Sequence, residues 1–380
     1  MAQRQLIRLD SSMEERIENE LVAELASYAT DIPRSVIRDP QNKWLASSAW
    51  QKAIRRNQPD IARRMVTGLY RLDPEYPWRR LPVIALEDVG AADLPLVAKI
   101  MWASGKLVWR RRHGGDLPIL LYFTEQLAAA VKDRVACDLE VWTDYDTGLA
   151  GVRAQVAGLN RQELFDAASD VDYPLGYRHL ALRYLAGTRA FPGVNLVPGR
   201  LGDFMDVVEV GRSLGLNDDV LTIAVLARHR GGSMALSLVL AMAMLQTADA
   251  VAVEPDPILE LPMLGAYPSY ALDAHNHQGK RAIGYFVKAC QPMRDWLDAS
   301  DVAPEHRAKV VMELLFRAET ELLDRRLVYG ESRRVQLMSW HATINGYAGL
   351  SADLVEEGVL TMREHLPALH HARERIMRDD

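Results

Sequence analysis

An all-α, multi-helix fold follows from three observations. Apolar residues recur at helical spacing in segment after segment, period-two alternation bounded by turn residues is scarce, and neither a βαβ rhythm nor a repeat of fixed period is present. The chain has 380 residues, of which 49% are hydrophobic, enough to bury a sizeable core and to exclude intrinsic disorder.

Residues 11–29 place Ile17, Leu21, Val22, Leu25 and Ala26 on one face behind a Ser11 or Ser12 cap, with acids in the first turn. Residues 59–72 align Ile61, Met65, Val66, Leu69 and Tyr70, and Pro59 suits a first helical turn. Residues 116–142 read as one long helical stretch. The most apolar run, 234–253, contains Ser237, Gln246, Thr247 and Asp249 and reads as a buried central helix. Residues 306–330 are amphipathic and end at Gly330, a C-terminal cap. The tail gives a final pair of helices broken near Pro367. Breaks rich in turn residues fall at 143–151, 187–203 and 254–270, so the chain divides into an N-terminal helical segment (1–43), a helical domain (44–145), a helical middle region (146–260) and a C-terminal helical region (261–380).

Bulk properties narrow the function. A net charge of −6 argues against a globally basic nucleic-acid coat. Cys137 and Cys290 stand far apart in apolar surroundings, which gives neither a disulfide framework nor a cysteine zinc site. Residues 1–20 have no signal-peptide core, and a cytoplasmic protein without a membrane span is expected.

One stretch, residues 48–93, carries four ordered elements: Gln51-Lys52-Ala53-Ile54-Arg55-Arg56, then Pro59-Asp60-Ile61-Ala62, then Arg79-Arg80-Leu81, then Ala85-Leu86-Glu87-Asp88-Val89-Gly90 with Ala92-Asp93. In that order they resemble the C-terminal collar of the replication-associated recombination protein A family, bacterial relatives of Werner-helicase-interacting protein. The resemblance covers about residues 44–135, roughly a quarter of the chain. It implies a clamp-loader-type collar in the first third, followed by a further helical bundle. The family's ATPase needs G-x-x-x-x-G-K-[ST] to cradle phosphates. Gly105-Lys106-Leu107 and Gly279-Lys280-Arg281 lack both the glycine spacing and the hydroxyl residue. What remains resembles a collar without its motor, which implies homo-oligomeric assembly and association with DNA or with a replication or repair protein. Read as scaffold, Asn57 to Asp60 is a tight turn, and Glu87 and Asp88 need basic partners at their helix end. Gly90 ends that helix, Asp93 caps the next, and Pro82 falls inside the third.

Three groups of side chains carry candidate chemistry. Residues 50–112 hold 13 Lys and Arg against 6 Asp and Glu, an excess that marks a nucleic-acid-binding face at Lys52, Arg55, Arg56, Lys106, Arg110, Arg111 and Arg112, with Trp102 and Trp109 nearby for stacking. The competing reading is that these cations serve salt bridges to acidic partners in the same protein or in a second subunit. In 269–290, Asp273, His275 and His277 lie close enough to share a metal, and Lys280 and Arg281 at a helix start could hold phosphate. The plain alternative is that they cap and bond an ordered loop. His365, His370 and His371 do not form a clean i, i+4 pair and read as a solvated tail. No H-E-x-x-H, G-x-S-x-G or dinucleotide fingerprint occurs, so neither a cofactor nor a catalytic residue is expected.

The expected function is therefore a non-enzymatic, oligomeric adaptor of DNA replication, repair or recombination. Two alternatives stand beside it: an enzyme or a nucleotide- or metal-responsive protein built on the Asp273–Arg281 loop, and a purely structural oligomer, including one encoded by a mobile element.

Overall fold

Local capping and apolar stripes set the order of helices. The computed structural model describes residues 11–28 and 42–379; the remainder of the predicted segment 1–43 lies outside them. The fold is all-α, with two minimal two-stranded sheets among the described residues.

Helix α1 (Ser11–Ser27) buries Met13, Ile17 and Leu21 and ties Glu20 and Glu24 to Lys99 at 3.0 and 2.7 Å. The Asn42 side chain accepts from the backbone N–H groups of Trp44 and Leu45 and so starts α2 (Lys43–Arg55). Asn57, at φ +51°, makes the turn into α3 (Pro59–Leu72), where Pro59 occupies the first turn as expected.

Helix α4 (Glu75–Ile84) keeps Pro82 in its interior and widens into a π-helical turn over Ala85–Val89. That turn closes with the Gly90 N–H donating to the carbonyl of Ala85, five residues back. Gly90 stands at φ +48°, and a Cβ there would meet the Asp133 carbonyl at 2.8 Å. Asp93 caps α5 (Leu94–Ser104), and Leu94-Pro95 form its first turn. α6 (Leu107–Arg112) is short.

The stretch 116–142 is not one helix. It divides into α7 (Asp116–Ala129) and α8 (Val135–Tyr145). Between them the Lys132 N–H donates to Arg325 and the Asp133 N–H to Asp88, while the Lys132 ammonium donates to the Ala128 and Ala130 carbonyls at the end of α7. These partners lie far away in sequence, so helical periodicity alone could not locate the break.

The middle region adds α9 (Ala150–Ala157), α10 (Arg161–Ser169), α11 (Leu175–Ala186), α12 (Phe204–Ser213), α13 (Asp218–Gly231) and α14 (Met234–Gln246). α14 is the buried apolar helix expected, although it ends at Gln246. No described helix is long and apolar enough to cross a membrane. β1 (Val251–Glu254) follows it. β2 (Met263–Leu264) and β3 (Tyr267–Pro268) form a minimal hairpin.

The last region holds α15 (His277–Ala289), α16 (Gln291–Ala299) and α17 (Pro304–Leu315). α17 widens into a second π-helical turn, Phe316–Thr320, closed by the Glu321 N–H on the Phe316 carbonyl at 2.9 Å. The predicted helix to Gly330 therefore stops early. Its final residues become β4 (Arg326–Tyr329), paired antiparallel with β1. α18 (Ser332–Ala348), α19 (Ala352–Glu364) and α20 (Leu366–Asp379) complete the chain.

Two apolar cores organise these elements. One runs from Met13 to Ala342, and the other gathers residues of α15–α17, α19 and α20. α18 belongs to both, through Ala342 in the first and Ile344 in the second.

Candidate functional site: a charged cleft between the two cores

A cleft of about 970 Å³ opens along this seam. Four helical stripes face it at i, i+3, i+4 and i+7 spacing. Trp44, Ser48, Gln51, Lys52 and Arg55 come from α2, while Arg134, Cys137, Asp138 and Tyr145 come from α8 and the residue before it. Glu313, Phe316, Arg317 and Thr320 come from α17 and its π turn, and Ser339, Ala342, Thr343, Gly346 and Tyr347 from α18. The loop before α15 contributes Asp273 to Asn276. The Gly- and Pro-rich segment 187–203 folds back to place Val194 and Asn195 there, its backbone N–H groups at 194 and 195 donating to the Asp144 carboxylate at 2.8 Å each.

Both π turns reach the cleft, and Arg55 joins them. Its Nε donates to Asp88 at 2.8 Å, one Nη to Glu87 at 2.8 Å and the other to the Thr320 carbonyl at 3.1 Å. Arg134 meets the same two acids, and Gln51 donates to the second oxygen of Asp88 at 2.8 Å. Burial alone would raise the Glu87 carboxyl, but Arg55, Arg134 and Arg80 outweigh it and hold it at about 2. Asp88 and Glu319 occupy the fourth position of their respective π turns, and both are buried against arginine. Glu319 receives two bonds from Arg373, at 2.8 and 2.7 Å. A π turn displaces one carbonyl from the regular ladder and turns its side chains off the α-helical stripe, which brings these acids inward.

Lys52 lies deeper. It donates to the Tyr270 carbonyl at 2.6 Å and to the Asp273 carboxylate. Burial lowers its ammonium to about 8 against the opposing pull of Asp273. The remaining Asp273 oxygen accepts from the His275 N–H and the Asn276 side chain, both at 2.8 Å.

The predicted site residues are therefore distributed unevenly. Of the basic set, Lys52, Arg55, Arg56 and Arg110 are buried against internal partners. Arg56 donates to the Glu319 carbonyl and stacks 4.4 Å from the Tyr270 ring centroid. Arg110 donates to Asp116 at 2.7 Å and lies 3.8 Å over Trp78. Lys106 pairs with Glu14 at 3.0 Å, and Arg111 and Arg112 are exposed. In the histidine loop, Asp273 and His275 line the cleft, whereas His277, Lys280 and Arg281 are exposed on the first turns of α15 and do not. Among the described residues no group of three His, Cys, Asp or Glu is arranged to hold a metal. In the tail, His370 bonds Ser269 at 2.5 Å and packs on Arg373, so it is an integral part of the fold.

Sequence reasoning did not nominate Arg134, Asp138, Arg317 or Ser339. Their only local signal is a polar residue repeated at helical spacing inside an otherwise apolar helix. Compared with protein-family models, curated proteins and solved structures, the chain matches none.

Proposed function

We propose that the protein is a small-molecule-binding, ligand-responsive protein whose site is the cleft between the two cores. One observation carries this reading: a cleft of about 970 Å³, at the upper end of the usual ligand-site range, gathers ionised groups from α2, α8, both π turns and the Asp273 loop under an aromatic rim. Of the five exposed aromatic side chains among the described residues, three (Trp44, Tyr145 and Tyr347) line it. Aromatic rings left in water around one concavity suit a ligand that covers them. Because the walls come from both cores, an occupant would fasten one to the other. Binding would then alter stability as well as occupancy.

Gly346 offers a clean test, since a Cβ there meets nothing within 4 Å. Gly346→Trp should fill the cleft from α18 with little strain. Native mass spectrometry after exposure to a small-molecule extract should find masses retained by the wild type and absent from the variant. Equal retention by both, or by neither, would overturn the proposal.

A second reading, association with DNA through the collar-like segment, keeps specific support from Arg111 and Arg112. They are exposed at the end of α6 beside Leu107 and Val108, which are 42% and 62% exposed. It predicts salt-sensitive binding of a forked duplex that Arg111→Ala with Arg112→Ala weakens by tenfold or more. Salt-insensitive binding, or binding unchanged in the double variant, counts against it.

A further inference from the structure

We infer that the cleft is selective for an organic cation, an amine or quaternary ammonium, which Asp138 receives with the help of the aromatic side chains that line the same cleft. The inference rests on the cleft being a ligand site and adds the chemical class of the occupant.

The buried cationic side chains of the cleft are already matched. Lys52 has Asp273, Arg55 and Arg134 share Glu87 and Asp88, and Arg317 has Glu321 at 2.9 Å. Arg80, a third exposed, donates to Gln51 at 2.5 Å and lies 3.6 Å from Glu87. Arg134 and Arg317 each leave Nε without an acceptor, but those atoms are sealed inside the protein and do not face the cavity. Except at Arg80, whose other guanidinium N–H groups have no partner among the described residues, an incoming anion would have to break an existing pair.

The acids differ. Asp138 is 4% exposed, lines the cleft and accepts no hydrogen bond from any described residue, and its oxygens are not among the sealed atoms. Glu313, 31% exposed on its side chain, has among the described residues only a long contact to Arg317 at 3.8 Å. The rim also suits positive charge, because its rings already take lysines. Lys43 Nζ lies 4.2 Å from the Tyr76 centroid and Lys309 Nζ 5.2 Å from that of Tyr347. An available carboxylate in a cleft that aromatic rings also line favours a cation by both charge and quadrupole.

Burial raises the Asp138 carboxyl to about 6, with Arg134 opposing that shift. Arg317 faces it from the second π turn, Glu321 from the residue that follows that turn, and Arg326 from β4. Cation binding should accordingly be strong at pH 7.5 and fall as pH drops through 6.

Calorimetric titration tests this with spermidine and choline as cations and with citrate and adenosine monophosphate as anions. At least one cation should bind the wild type at pH 7.5. Its affinity should fall tenfold or more in Asp138→Asn, in Glu313→Gln to a lesser degree, and at pH 5. Melting curves identify any variant that fails to fold, in which case the pH series and Glu313→Gln decide. Anions that bind while cations do not, with Gly346→Trp blocking them, would overturn the charge assignment and leave the cleft reading intact. Binding of neither class, or cation binding indifferent to both variants and to pH, also overturns the assignment. Cation binding unchanged by Gly346→Trp removes the cleft reading itself.

Discussion

Lys52 of α2 and Asp273 of the loop before α15 form a buried ion pair, their side chains 3% and 5% exposed. The contact fastens the segment of clamp-loader resemblance to the C-terminal helices at the floor of the cleft. Each residue has a functional appearance in the sequence, one as a nucleic-acid contact and the other as a metal ligand. In the fold they neutralise one another.

Lys52→Ala should therefore destabilise the protein by about 3–5 kcal/mol, because it leaves the Asp273 carboxylate buried without its counter-charge. Lys52→Met combined with Asp273→Asn should recover part of that loss. Urea unfolding of the three proteins measures it. A single variant as stable as the wild type would show that the pair is not closed in solution.

Two glycines of the site should respond in opposite directions. A Cβ on Gly279 would lie 1.9 Å from the Asp273 carbonyl oxygen, so the start of α15 can approach this loop only without a side chain. Gly279→Ala should cost about 1–3 kcal/mol as the loop is pushed away. Gly346 sits in open space on α18, and Gly346→Ala should be neutral or stabilise by up to about 1 kcal/mol. Thermal melts of the pair check both signs. A Gly279→Ala protein that melts with the wild type would contradict the packing described.

Acid should weaken the second core. Burial pushes the Glu319 carboxyl up, but Arg373 and Arg56 overcome this and hold it at about 2, below the ordinary 4.5. A carboxyl depressed by folding stabilises the folded state fully above about pH 4.5, and that contribution, about 3 kcal/mol, is lost as pH falls towards 2. Glu87 adds a term of the same sign. The stability gap between wild type and Glu319→Gln should narrow from pH 5 to pH 2. A gap constant across that range would refute the assignment.

Much of the helical framework was legible because each signal was local. Asn57 and Pro59 mark a turn, Gly90 a helix end and Asp93 a cap, and all four act over a few residues. The cleft was far less legible. Arg55 finds its acids 32 and 33 positions away and its carbonyl partner 265 positions away, and nothing in the local pattern of α2 distinguishes such an inward arginine from a phosphate-facing one. The break between α7 and α8 and the short strand β4 are likewise fixed by partners distant in sequence, Lys132 with Arg325 and β4 with β1. Asp138 is an unremarkable helical acid until α17 and α18 close over it.

The most direct test of the cleft as a ligand site is thermal unfolding of the wild type and Gly346→Trp across a panel of small metabolites. At least one compound should raise the melting temperature of the wild type by several degrees and leave the filled variant unmoved. A compound that stabilises both equally, or a panel that stabilises neither, would contradict it.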